Sequence, residues 1–361
     1  MVDIIKGIAI IMIVNVHLIG GPFFLIGNTY HVIAFFFVSG IVHGLRETWN
    51  RYSFSVFLRR KAVRLLYPYL TLSICYILFH TVLCFIRAES SNVVIVDSLI
   101  KTITLKGIGT LWFLPVLFLG ELFFFFVKRT KMNDWCICLL GLLAIVLSSY
   151  FNAEGYCGLK WYGDSSLYGL LINNPLTLFL SGCISMFFIE MGFIVHKFLP
   201  DIILNGIKSR KQAIWVSLLC CISFVVDYLT IDLYAGDLHK LNIGNPIFYC
   251  ISSFTGISFV LTISLLIDRF SRLLRRFFMF IGEKSLIIMT THTEYYINSI
   301  AFLLVSNLFI TFGLSHSDKI ISGFSLFLII LIELVVIYIV EHTPLKYLYL
   351  FPKRGKGNRI V

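Results

Sequence analysis

Lys6-Gly7-Ile8-Ala9-Ile10-Ile11-Met12-Ile13-Val14-Asn15-Val16-His17-Leu18-Ile19 decides what kind of chain this is. Apart from Lys6, Asn15 and His17 the run is apolar, as only a membrane helix or a deep core can be. At about 1.5 Å per residue, Lys6 and His17 lie roughly 16 Å apart along a helix, about half the thickness of a hydrocarbon core. If Lys6 reaches one membrane face, His17 sits near the midplane. An ionisable side chain there is costly and marks a functional site. Imidazole is also the group best suited to take and return a proton near neutral pH.

The rest of the sequence repeats the membrane signature. Of its 361 residues 58% are hydrophobic and only 14% charged, with a mean hydropathy of +0.90. A soluble chain would carry nearly twice that charge. The apolar residues come in helix-length blocks, not short alternating segments, which predicts an all-α polytopic membrane protein rather than a barrel. Ten spans are expected, at 4–26, 31–45, 65–87, 111–127, 134–151, 176–199, 212–229, 245–267, 285–309 and 320–340. Placing both termini in the cytoplasm puts 23 of the 30 Lys and Arg residues inside and 6 outside, with Lys284 at a span entrance. That bias is what the positive-inside rule requires, and dropping one span would invert the rest. Residues 1–345 are read as one transmembrane domain and 346–361 as a short basic cytoplasmic tail.

The net charge of +11 is spread over short loops between apolar blocks, so it argues for membrane orientation and not for nucleic acid. Nine cysteines follow no metal-ligand spacing. Cys75, Cys84, Cys183, Cys220, Cys221 and Cys250 lie in apolar runs as small hydrophobes. No metal site and no tightly bound cofactor is expected. The long outer segments Glu89–Gly109, Asn152–Pro175 and Thr230–Asn245 carry Glu154, Asp164, Asp232 and Asp237 beside Tyr156, Trp161, Tyr162 and Tyr234. Acids and rings together suit sugars, since carboxylates accept hydroxyl hydrogens and rings stack on apolar sugar faces. A solvated loop with interfacial aromatic anchors is the plainer reading of the same residues.

Four further stretches carry chemistry. Phe36-Phe37-Val38-Ser39-Gly40 offers Ser39 and a notch for close helix approach. Arg59-Arg60-Lys61-Ala62-Val63-Arg64, followed by Tyr67-Pro68-Tyr69, puts four cations at the cytoplasmic entrance of the third span. They suit either anionic lipid or the phosphates of a cytoplasmic ligand. Leu111-Trp112-Phe113-Leu114 leads to Glu121, a carboxylate inside a span that needs an interior partner. Trp112 reads as an interfacial belt residue, whereas Glu190 and Asp227 lie near helix ends where loop exposure suffices. Last, Gly282-Glu283-Lys284-Ser285 opens a span containing Thr290, Thr291, His292 and Glu294, a polar cluster expected to share a cavity with His17.

In this order and on ten spans, these pieces resemble the acyltransferase 3 family of integral membrane O-acyltransferases that modify bacterial surface glycans. The resemblance runs over nearly the whole chain. The family's basic residue, ten intervening residues and histidine appear as Lys6 and His17. Its third-helix pair of arginines two residues apart appears as Lys61 and Arg64, one arginine being lysine. An arginine that often precedes the first-helix acid has no counterpart before Asp3. The resemblance implies transfer of an acyl group, acetyl above all, from acyl-coenzyme A to a carbohydrate hydroxyl at the bacterial cytoplasmic (inner) membrane. It assigns His17 as catalytic, and Lys6, Arg60, Lys61, Arg64 and Tyr69 to the acyl-coenzyme A donor. Asn15, Ser39, Trp112, Glu121, His292 and Glu294 are candidates for orienting His17 or touching the acceptor. The rival expectation is a transporter or flippase of lipid-linked sugars, which needs neither the donor nor a base at His17.

Overall fold

The computed structural model describes residues 1–19, 21–23, 30–88, 92–153, 174–230, 237–313 and 318–350. Glu154, Tyr156, Trp161, Tyr162, Asp164, Asp232 and Tyr234 lie outside the described residues, as does 351–361 of the expected tail. Helices dominate. The described residues pair as β-structure only at one bridge, between Asp237 and Asn242. Helices are α1 (Val2–Val16), α2 (Ile33–Arg46), α3 (Phe54–Ile86), α4 (Asn92–Ile103), α5 (Gly109–Arg129), α6 (Asp134–Ala153) and α7 (Asn174–Phe198). They continue as α8 (Arg210–Thr230), α9 (Pro246–Phe270), α10 (Arg272–Glu283), α11 (Ser285–Thr291), α12 (Ile297–Thr311) and α13 (Asp318–His342). In lipid the backbone must satisfy itself, and a helix does so within one segment.

Seven described helices are long and apolar enough to cross a membrane: α3, α5, α6, α7, α8, α9 and α13. They match seven of the ten expected spans. The other three are shorter or broken. The span expected at 4–26 stops as a helix at Val16, so α1 has 15 residues, about 22 Å, less than a ~30 Å hydrocarbon core. Gly21 follows with φ of 93° and Pro22 lacks an N–H, and neither continues a helix. α2 has 14 residues. The span expected at 285–309 breaks between α11 and α12, where Tyr296 adopts a left-handed φ of 61°. Two segments expected as loops are helical: α4 occupies much of 89–109, and α10 fills the stretch before α11.

Pro68 lies inside the third span, as expected. Its ring would crowd the carbonyl four residues back, and the helix absorbs this in a π-helical turn at Ala62–Leu66. α3 therefore runs on to Phe54, eleven residues before the expected start.

Burial sorts the helices into two layers. α1 buries residues all round its axis, from Ile4 to Asn15, and is the centre of the bundle. α8 and α13 instead expose Ile214, Leu219, Phe324 and Phe327, large apolar side chains that fit a lipid surround. Glycines set the closest approaches. A Cβ on Gly40 would meet the Ile189 carbonyl oxygen, and one on Gly192 the Phe37 carbonyl oxygen, so α2 and α7 touch backbone to backbone. Gly7 and Gly282 make the same reciprocal contact between α1 and α10.

Glu190 and Asp227, expected at exposed helix ends, are both buried. Glu190 pairs with Lys128 Nζ at 2.6 Å, and Asp227 accepts from Ser252 at 3.3 Å. The helices end within one residue of expectation, at Phe198 and Thr230, but both acids face neighbouring helices, Glu190 toward Lys128 of α5 and Asp227 toward Ser252 of α9, and each finds its partner there.

Gly40→Leu should force α2 away from α7. The expected result is a loss of at least about 1–3 kcal/mol from overpacking, seen as a lower thermal midpoint in detergent. A midpoint equal to wild type would mean the two backbones do not touch.

Candidate active site

Among the described residues, the expected site residues gather mainly in two polar centres of the apolar bundle. The first gathers at the C-terminal end of α1. His17 is the capping residue there and is exposed, not enclosed within a continuous helix. Its Nδ1–H donates to the Ile13 carbonyl at 2.8 Å, which fixes the tautomer and leaves the Nε2 lone pair available. His292 closes α11 in the same manner, donating from Nδ1 to the Ile288 carbonyl at 2.7 Å, with the Thr293 hydroxyl 3.4 Å from its Nε2. The two imidazoles meet edge to face, centroids 5.3 Å apart and planes at 69°. His17 and His292 are thus brought together as expected.

Other members of the expected set support this centre without touching His17. Asn15 is buried, and its Oδ1 accepts from Phe23 N at 3.0 Å, folding the chain back after α1. Glu294 accepts from Thr110 N at 2.8 Å, while the Thr110 hydroxyl donates to the Met289 carbonyl at 2.8 Å. These bonds fasten the first turn of α5 to the α11–α12 break. Gly109, at φ 49°, lies so close to the Glu294 carboxylate that a Cβ would collide with it. Trp112 rides on this turn and is only 7% exposed, so the interfacial-belt reading does not hold. Its ring stacks on His239 with centroids 5.0 Å apart and planes at 12°.

His239 belongs to the connection between α8 and α9, outside the spans. Burial pushes its imidazole down to about 4; the nearby Lys240, His17 and Lys106 push the same way, and Asp237 opposes them. Nothing in the sequence singled out His239, a lone histidine in a polar loop. Asn298 was also missed. It donates from Nδ2 to the His17 carbonyl at 2.9 Å, and its only advance signal was the continuation of the polar run beyond Glu294.

The second centre joins α2, α3 and α5. Lys61 Nζ lies 2.6 Å from Glu121 Oε1, with the two side chains 15% and 5% exposed. Ser39 Oγ donates to the same oxygen at 2.5 Å, and His43 Nε2 lies 3.7 Å away. His43 Nδ1 and the Thr48 hydroxyl share a short hydrogen bond. Glu121 thus has the interior partner that its position demanded, and that partner is Lys61 and not His17. The charges of Arg64 and Arg46 both act on Lys61, and both arginines are exposed. Arg46 was not among the expected site residues. Arg60 lies over the Tyr52 ring at 4.2 Å. Lys6 pairs with Asp3 at 2.5 Å on the first turns of α1. Tyr69, expected against the donor, is fully buried, and its hydroxyl donates to the Thr102 and Lys101 carbonyls at 2.9 and 3.2 Å. It holds α4 against α3, because the longer α3 puts it near mid-helix.

The sequence model of the family described as Acyl_transf_3, acyltransferase domain, matches residues 2–341, and the chain belongs to that family. It is thus a membrane acyltransferase by family. No curated protein and no solved structure matches the chain.

Two outcomes follow from this geometry. Lys61→Met leaves Glu121 buried and uncompensated, so stability should fall by about 3–5 kcal/mol, and adding Glu121→Gln should restore most of it. Thermal unfolding of the three proteins in detergent checks this. The second concerns His239, whose folded value lies below the unfolded ~6.5. The fold therefore favours the neutral ring: its contribution is complete above the unfolded value and is lost as pH falls through about 4. With Trp49, Trp135, Trp161 and Trp215 replaced by phenylalanine, Trp112 emission should stay constant from pH 8 to the unfolded value and be quenched approaching pH 4. His239→Gln should abolish that change.

Proposed function

We propose that this protein is an O-acyltransferase of the bacterial cytoplasmic membrane that moves an acetyl group from acetyl-coenzyme A to a hydroxyl of a cell-surface carbohydrate. One observation carries the reading. His17 stands at an exposed helix end with Nδ1 tied to Ile13, so the free Nε2 is a base of fixed orientation. In this mechanism Nε2 takes the acceptor hydroxyl proton as the oxygen attacks the thioester carbonyl. The carbon–sulfur bond then breaks, and the coenzyme A thiolate leaves with the proton from the imidazolium. The second polar centre serves the donor. Arg46, Arg60, Lys61 and Arg64, with Lys6 at the start of α1, form the cationic surface for its phosphates.

In this reading the chain crosses the membrane ten times with both termini in the cytoplasm, counting α1, α2 and the broken α11–α12 with the seven long helices. The distribution of Lys and Arg supports it. The donor then meets the protein on the cytoplasmic side and the acceptor from the other side. The stacked Trp112 and His239 stand by the acceptor's approach, where rings suit a sugar face.

Thiol release from acetyl-coenzyme A by purified protein in nanodiscs, with and without crude surface glycan, tests this. Release should be stimulated by acceptor and should fall by about 10²–10⁴ in His17→Ala with its elution profile unchanged. Release surviving in His17→Ala would remove the base. No release from folded wild type would remove the donor assignment and favour transport.

A further inference from the structure

A side chain from another helix hydrogen-bonds the backbone at the end of α1. Asn298 lies in the first turn of α12 and is 4% exposed. Its backbone N–H donates to the His292 carbonyl at 3.0 Å, and its side-chain Nδ2–H donates to the His17 carbonyl at 2.9 Å. One residue thus satisfies the backbone oxygens of both histidines whose rings meet at 5.3 Å. Each carbonyl stands at the end of a helix, among the groups that lack an intrahelical partner. The amide has no competing engagement, because Oδ1 is buried and takes no hydrogen bond among the described residues. Its orientation is therefore set by His17 alone. With Oδ1 turned toward the His17 carbonyl, two acceptors would face each other.

We propose that Asn298 is a positioning residue, an amide clamp that joins the end of α1 to the α11–α12 break and fixes the His17 and His292 imidazoles relative to each other. The proposal rests on the reading of His17 as the base. Losing the clamp frees the His17 carbonyl, frays the last turn of α1 and lets the Ile13 carbonyl that orients the ring move with it. Asn298 touches neither the donor surface around Lys61 nor the Nε2 atom that reacts. Its loss should lower turnover and leave donor affinity alone.

The test uses the full-length protein in nanodiscs, with Asn298→Asp as the near-isosteric variant and Asn298→Ser as one that keeps a hydroxyl donor. The first readout is amide hydrogen exchange of the peptide containing Ile13–Leu18, which needs no activity. It should speed up about tenfold or more in Asn298→Asp and less in Asn298→Ser, with α7 exchange unchanged. The second is acetyl-coenzyme A turnover. The Asn298→Asp kcat should fall by about 100-fold while KM for acetyl-coenzyme A stays within about twofold, since a small displacement of a catalytic group costs rate and not remote binding. Wild-type exchange at Ile13–Leu18 in both variants would overturn the clamp. Faster exchange with wild-type kcat would overturn its link to the base. Should wild type show no turnover, the transferase reading fails by itself, and the positioning of a base fails with it whatever the exchange shows.

Discussion

A helix that stops inside an apolar body leaves carbonyls without partners, and most of the first polar centre answers that constraint. α1 ends at Val16, and the groups around its end are claimed one by one. Ile13 O takes the His17 ring, Asn15 O takes the Leu18 N–H at 3.3 Å, and His17 O takes Asn298. Asn15 then uses its side chain to hold Phe23 as the chain turns away. A continuous span would have needed none of these polar residues and would have packed His17 against a neighbouring helix. Ending early places the imidazole at an open helix terminus. There the partly negative carbonyl end of the helix faces the ring that takes up positive charge in the proposed reaction.

The α11–α12 break is the counterpart to that terminus. It supplies the His292 ring, the Glu294 carboxylate that holds Thr110, and the Asn298 amide that holds His17. Met289 adds a carbonyl for the Thr110 hydroxyl. Three separate stretches of sequence, the ends of α1, α11 and the start of α5, are thereby fixed to one irregular segment. Irregular backbone at membrane depth is tolerated where it is buried in protein or lines a cavity, and here every bond just described is with protein.

Hydropathy and charge bias made the all-helical class legible in the sequence, along with seven long helices, because both follow from the cost of placing backbone and charge in lipid. His17 in its apolar run and the Thr290–Glu294 polar run likewise pointed to residues that meet, His17 and His292. Helix ends were legible only in part. Gly21 and Pro22 announce the stop after α1, but the break at His292–Tyr296 lies in a run with no Gly or Pro and depends on tertiary partners. The third helix begins eleven residues earlier than expected, so Tyr69 moved from the membrane entrance to mid-helix. His239 and Asn298 acquire their roles from long-range contacts that no local pattern encodes. Glu121 was correctly expected to need a partner, but hydropathy cannot choose among partners, and Lys61 took it.

That pairing bears on the one position where the chain departs from its family's third-helix pattern. An arginine at Lys61 would present a planar fork able to engage both oxygens of a carboxylate. Lysine is a point charge. It sits 2.6 Å from Oε1, shared with the Ser39 hydroxyl, and Oε2 is left buried with no hydrogen-bond partner among the described residues. His43 Nε2 is similarly unpartnered, 3.7 Å from Oε1. The centre therefore holds a compensated charge with incomplete hydrogen bonding, which keeps part of its binding capacity unspent. Arg64 and Arg46 stand exposed, and their charges act on Lys61. In this protein the lysine is thus first the counter-ion of Glu121, and in the proposed reaction it is the exposed arginines that are left to meet the donor.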